Sequence, residues 1–197
     1  MAEGSERHSS GRLLLRQRPG VDNAQAMADQ FGWPMTNELS PDADNPGLYE
    51  VVWAAGDGIS LHYVDDGDAN ECFVQFTGIN KDSVTAAEVY ARQRMNPWKT
   101  AELIEVLHGA ARSEDRARYL TRLGLAVGPE SANEVSDLII RASQDPDRDV
   151  RSAAVWSMAY TEWPEFAATL RRVISADPDD EVRADAESVL AALEGEA

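Results

Sequence analysis

Cysteine is almost absent: Cys72 is the only one in 197 residues. No disulfide framework can form within the chain, and nothing points to an oxidising compartment. Histidine is nearly as scarce, and His8, His62 and His108 stand apart from one another and from Cys72, at no spacing that suits zinc. Long apolar runs are also missing. No stretch nears the roughly 18 residues needed to span a bilayer. Leu13, Leu14 and Leu15, flanked by Arg12 and Arg16, fall short of the about seven apolar residues of a secretory signal. The expectation is a cytoplasmic protein. The chain lacks a phosphate-binding glycine loop, a Gly-x-Ser-x-Gly elbow and a His-Glu-x-x-His helix, so no cofactor, no metal and no catalytic residue is predicted.

Basic residues are few: 18 Lys and Arg face 35 Asp and Glu, a formal charge of −17. Residues 1–20 carry net +2, residues 21–100 net −9 and residues 101–197 net −10. Affinity for duplex nucleic acid comes mostly from neutralised phosphates, so this balance argues against it. The same field attracts and steers a basic protein.

Two candidate chemistries fall short on their own residues. Asp66, Asp68 and Asn70 alternate as calcium ligands do, but Glu71 and Thr77 occupy the places where an EF-hand needs Gly and Glu. A solvated hairpin turn is the better account. Cys72 would need a base to act as a nucleophile, and His62 on the adjacent strand is the one on offer. A small, partly buried thiol is the plainer reading.

Along the chain, residues 1–20 are polar, rich in Ser, Gly and Arg, and read as a disordered lead-in. A short helix is predicted over residues 23–31, capped by Asp22 or Asn23 and stopped at Trp33-Pro34. Residues 36–47 read as loop, punctuated by Pro41, Asp42, Asp44, Asn45 and Pro46. Three strand-like runs follow at 49–53, 59–64 and 72–77, joined by the tight Gly56-Asp57-Gly58 and a wider connection over 65–70. An antiparallel meander is the simplest arrangement. It needs a helix against it, and residues 83–95 supply one, with a cap at Asp82 or Ser83. From about residue 98 the pattern is helical to the end. The predicted fold is an α+β unit over residues 21–97, a three-stranded antiparallel meander with flanking helices, followed by an all-α repeat region over 98–197.

That region contains a near-copy of itself. Asp145-Pro146-Asp147-x-x-Val150-Arg151-x-x-Ala154 recurs 32 residues later as Asp177-Pro178-Asp179-x-x-Val182-Arg183-x-x-Ala186. Residues 145–159 and 177–191 agree at seven of fifteen positions. A looser copy, with about one extra residue, runs from Ala117-Arg118 to Leu123-Gly124. A period of this length is that of stacked helical hairpins. The pattern resembles HEAT repeats, of the armadillo-type α-solenoids, whose first helix begins with Asp-Pro, continues with Val-Arg and packs an Ala two turns in. Each residue has a structural job: an Asp cap for the first turn, proline at the first helical position, Val150 and Val182 facing the stack, and Ala154 and Ala186 allowing close approach. Arg151 and Arg183 are expected to form exposed pairs with Asp147, Asp149 or Asp179, worth about 0–1 kcal/mol.

The resemblance implies a surface for binding macromolecules rather than a catalyst. The first expectation is a non-catalytic module that binds another protein, a basic one, and inhibits it as immunity proteins inhibit their toxins. A scaffold or adaptor is the alternative. A third reading is a small-molecule binder or enzyme with a pocket between the two units, lined by Trp53, Tyr63, Tyr90 and Trp98. If the second helix of each pair supplies the surface, the expected contact residues are Glu134, Asp137 and Arg141 on one, with Thr169 and Arg172 on the next.

Overall fold

A computed structural model describes residues 7–42, 47–128 and 132–195. The chain divides into two compact units, Met1–Trp98 and Lys99–Ala197.

The first unit runs β1 (His8–Ser9), β2 (Leu13–Leu14), α1 (Val21–Phe31), β3 (Met35–Leu39), β4 (Leu48–Gly56), β5 (Ile59–Asp66), β6 (Glu71–Gly78) and α2 (Lys81–Met95). Its sheet is antiparallel in the order β1-β6-β5-β4-β3, with β2 also paired to β6. The expected meander is its centre, with Val52 opposite His62 and His62 opposite Gln75. Alternation sends Val51, Trp53, Leu61, Tyr63, Val74 and Phe76 to one face. There they form a core with Ala24, Met27 and Ala28 of α1 and Val84 and Ala91 of α2. Trp53 and Tyr63 are wholly enclosed in this core.

The lead-in departs from expectation. Its described part, from residue 7 onward, is ordered, and Leu13, Leu14 and Leu15 are 1%, 0% and 2% exposed. The Ser10 N–H donates to the Phe76 carbonyl at 2.8 Å, and the Ser10 hydroxyl accepts from the Phe76 N–H at 2.9 Å. The Trp98 N–H donates to the Leu14 carbonyl at 2.9 Å. Window composition hid this, because the Ser, Gly and Arg around three leucines dominate the average. A fully buried leucine contributes about 1.5–3 kcal/mol, which exceeds the roughly 1–2 kcal/mol needed to order its backbone.

Residues 36–47 are not all loop either, since β3 pairs with β4 through residue 39. Its side chains do not alternate because they are almost all exposed, so periodicity gave no signal. Asp44, Asn45 and Pro46 lie outside the described residues. Helix α1 starts at Val21 without a side-chain cap. Helix α2 is capped by Asn80, whose carboxamide oxygen accepts from the Ser83 N–H at 3.0 Å, not by Asp82 or Ser83.

The second unit runs α3 (Thr100–Gly109), α4 (Ser113–Ala126), α5 (Asn133–Ala142), α6 (Arg148–Thr161), a 3-10 turn (Pro164–Phe166), α7 (Ala167–Ala176) and α8 (Asp180–Glu194). Helices α4, α6 and α8 stack in one layer, and α3, α5 and α7 form the other by packing on α4, α6 and α8 in turn. Val150, Ala154, Val182 and Ala186 are buried in the stack, as their spacing predicts.

The motif's polar residues divide their work differently from expectation. The caps are Asp147 and Asp179, which accept from the N–H groups of Asp149 and of Glu181, each at 3.0 Å. Each helix begins just after its cap, so Pro146 and Pro178 sit in the approach rather than at the first helical position. The looser copy is also displaced further than its residues suggest: α4 starts at Ser113 and α6 at Arg148, a step of 35.

Candidate interaction surface

The α5–α6 and α7–α8 loops are held by buried charge. The Arg151 guanidinium grips Asp177 with two parallel bonds, Nε to Oδ2 at 2.8 Å and Nη2 to Oδ1 at 3.1 Å. Its remaining nitrogen donates to the carbonyls of Asp145 and Pro146 at 3.1 and 3.2 Å. One repeat earlier, Arg116 donates to Asp145 at 3.2 Å. Arg183 binds Asp180 and the Asp177 carbonyl. The expected exposed pairing of Arg151 with Asp147, Asp149 or Asp179 is therefore replaced by a buried one with Asp177, whose side chain is 3% exposed. Thus the first Asp of each motif receives an arginine from the preceding repeat, while the second caps the helix.

Burial pushes the Asp177 carboxyl up, but the Arg151 guanidinium and the Asp179 N–H outweigh it and hold the group below its ordinary value of 3.8. Because the folded-state value is depressed, the stabilisation is complete above that ordinary value and drains away as pH falls through the folded one. Equilibrium unfolding followed from pH 7 to pH 2 is expected to show stability falling below about pH 4. The fall is shallower in Asp177→Asn. An identical pH slope in the two proteins would remove Asp177 from this role.

Beside this pair lies a cleft of about 370 Å³, lined by Gln144, Asp145, Arg151, Arg172, Asp177 and Pro178 among others. Asp177 is held by Arg151 and the Asp179 N–H, and Asp145 by Arg116 and the Asp147 N–H. Arg172 is exposed at the edge of the cleft.

Of the sequence-predicted contact residues, Glu134, Asp137 and Arg141 are exposed along one stripe of α5. The spacing of three and then four residues keeps them on a single face, and the Arg141 Nε–H donates to the Asp137 carbonyl at 3.2 Å. Thr169 does not join them: it is 6% exposed, inside the unit. The sequence suggests a core stripe on α7 through Leu170 and Ile174, whereas the structure buries Leu170 and Val173 and leaves Ile174 half-buried. That rotation carries Thr169, one turn before Val173, inward.

The other candidates resolve into structural roles. His62 and Cys72 lie on opposite faces of the sheet, because Cys72 pairs with Asp65, three residues from His62. The His62 ring lies between two polar partners, with Nδ1 2.8 Å from the Glu50 carboxylate and Nε2 2.9 Å from the Thr77 hydroxyl. Burial pushes the Cys72 thiol up, and the thiol donates to the Gln17 carbonyl at 3.3 Å. In the acidic hairpin, Asp66 accepts from the Ala69 N–H at 2.9 Å, as a capped turn does. Among the described residues, no group of three or more His, Cys, Asp or Glu could hold a metal ion, and no helix is long and apolar enough to cross a membrane. Sequence reasoning named Tyr90 but missed the aromatic ledge it joins in the first unit, where Phe31 is exposed and Trp33 and Tyr90 are half-buried. Its only trace in the sequence is three apolar residues around Gly32 and Pro34.

Residues 100–191 match a family model described as HEAT repeats. The C-terminal unit is a HEAT-repeat region, a kind of structure that serves protein interaction or scaffolding. The match does not reach the N-terminal unit. No curated protein matches the chain, and no solved structure does.

Proposed function

We propose that this chain is a non-catalytic binding module that holds a basic protein against helices α5 and α7 and inhibits it by occlusion, in the manner of immunity proteins. The observation that carries the reading is the exposed stripe of Glu134, Asp137 and Arg141, with Arg172 on the next second-layer helix, on a HEAT-repeat region of a chain of net charge −17. A surface of this kind needs no cofactor. The net negative charge of the whole chain speeds encounter with a cationic partner and discriminates against acidic ones.

The test pairs Glu134→Lys and Asp137→Lys in one variant and compares it with the unaltered chain in capture from native extract, followed by measured association with the recovered protein. The expected result is an affinity lower by roughly tenfold or more, mostly in the association rate, with a flatter salt dependence. Equal affinity in both chains would overturn the proposed surface. Binding that is indifferent to salt would instead favour the adaptor reading, in which the contact is largely apolar.

A further inference from the structure

We propose that the free edge of the N-terminal sheet is a second docking site, where an extended segment of a partner protein adds alongside β3 as another strand. That segment places an apolar residue beside Met35 and a lysine or arginine beside Glu38. The inference takes from the proposed function only the basic character of the partner, and it puts the contact on the other unit.

Among the described residues, strand β3 ends the sheet and pairs only with β4. The opposite end is a two-residue strand, β1, against which α2 packs. Exposed edges are normally blunted by lysines, prolines or inward-pointing charge. Here Met35, Thr36, Asn37 and Glu38 are all exposed, no lysine or proline lies within the strand, and the one blunting feature in it is the bulge between Met35 and Asn37. The row of backbone groups on the outer side of β3 is a template for strand addition, in which the main chain supplies affinity and alternate side chains supply selectivity.

The selectivity has visible parts. Met35 is 51% exposed, and Phe31, four residues before it, is 45% exposed, so apolar side chains on and just before the strand are open to water. Phe31 stacks on Trp33 with ring centroids 4.9 Å apart, and Tyr90 meets Phe31 edge-on at 5.3 Å. The ledge is held in place from behind. The Gln30 amide donates to the Tyr90 hydroxyl at 3.0 Å, Arg94 donates to the Gln30 carbonyl oxygen at 3.1 Å, and its guanidinium lies over the Tyr90 ring. Gly32, in the left-handed region at φ 67°, turns the chain sharply enough to set Trp33 under Phe31. Preorganisation of this kind lowers the ordering cost of binding.

Charge sets the other end. Glu38 is the only charged residue of β3. It accepts the Tyr49 hydroxyl at 2.9 Å, which fixes its position and leaves its other oxygen available. Among the described residues no cation pairs with it. Met35 and Glu38 lie opposite Trp53 and Val51, which are two apart on β4, because the register shifts between Met35 and Asn37. An added strand that mirrors the register of β4 meets both with residues two apart, one apolar and one basic.

The test uses the full chain and a capped synthetic peptide of about eight residues, a common strand length, with Phe and Lys two apart among threonines. Binding is read by isothermal titration and by amide chemical shifts. The Lys peptide is expected to bind saturably and to shift β3 amides, and its Lys→Glu counterpart to bind roughly tenfold more weakly. Glu38→Lys inverts that preference, a Phe31→Ala and Met35→Ala double variant weakens both peptides, and a proline at the centre of the peptide abolishes binding. These substitutions are at exposed positions, so the fold survives them. No saturable binding of the Lys peptide up to about 1 mM, or a preference that ignores Glu38→Lys, would overturn the inference. The Glu134→Lys and Asp137→Lys variant binds the peptides as the unaltered chain does, so failure here and failure of the α5–α7 surface are told apart.

Discussion

Asp177→Ala lowers stability by about 3–5 kcal/mol, because it strands the Arg151 guanidinium in a place where water reaches little of it. Arg151 is 10% exposed at its side chain and loses both of its carboxylate bonds in this variant. The two carbonyls it keeps, those of Asp145 and Pro146, cannot neutralise its charge. The pH 7 melting temperature is expected to fall on the order of 10 °C. Much of the loss is the cost of an unpaired buried charge rather than the worth of the pair. Arg151→Met combined with Asp177→Leu is therefore expected to recover most of it. Circular dichroism on the parent, Asp177→Ala and the double variant decides the matter. A single-variant loss below about 1 kcal/mol would mean that the pair behaves like an exposed one.

Gly124→Val separates α4 from α6. A Cβ at this position would lie 2.7 Å from the Ser157 Cα, 2.8 Å from its Cβ and 3.1 Å from its carbonyl oxygen. Two of those atoms are backbone, so no rotamer change relieves the overlap. Forcing the helices apart also strains the Ser157 hydroxyl, which donates to the Leu120 carbonyl at 3.0 Å. Gly124→Ala gains about 1 kcal/mol in helix propensity, but overpacking costs about 1–3 kcal/mol and is expected to win. The valine, with two further methyl groups, is expected to cost upwards of about 3 kcal/mol. Gly109, with open space around it, is the control. Alanine there leaves stability unchanged or slightly raised. Denaturant midpoints for the three variants test this, and a Gly124→Ala protein as stable as the parent would show that the α4–α6 approach is more yielding than the geometry implies.

The legible parts of this protein share a physical origin. The helices of the second unit announced themselves through apolar stripes and Asp-Pro starts, and the meander through alternation, because both patterns are local consequences of backbone period. The exposed α5 stripe was legible for the same reason. Thr169 was not, because a rotation of α7 of about one residue changes which face is inward, and the 3-10 turn at Pro164–Phe166 that precedes the helix has no periodic signature. The order in the lead-in was hidden because its leucines are too few to form a pattern. They matter only once β6 is beside them.

The amino-acid order by itself determined that the second half carries an Asp-Pro motif copied 32 residues later, that the centre of the first half is a meander, and that the molecule carries strong negative charge. These are properties of spacing and composition, and they hold however the pieces come together. Tertiary structure alone decided that Arg151 meets Asp177 rather than a nearer acid, that Leu13, Leu14 and Leu15 belong to a core, and that β3 is left as an open edge. Each of these depends on which surfaces arrive within bonding distance across tens of residues of chain, and a local pattern contains no measure of that distance.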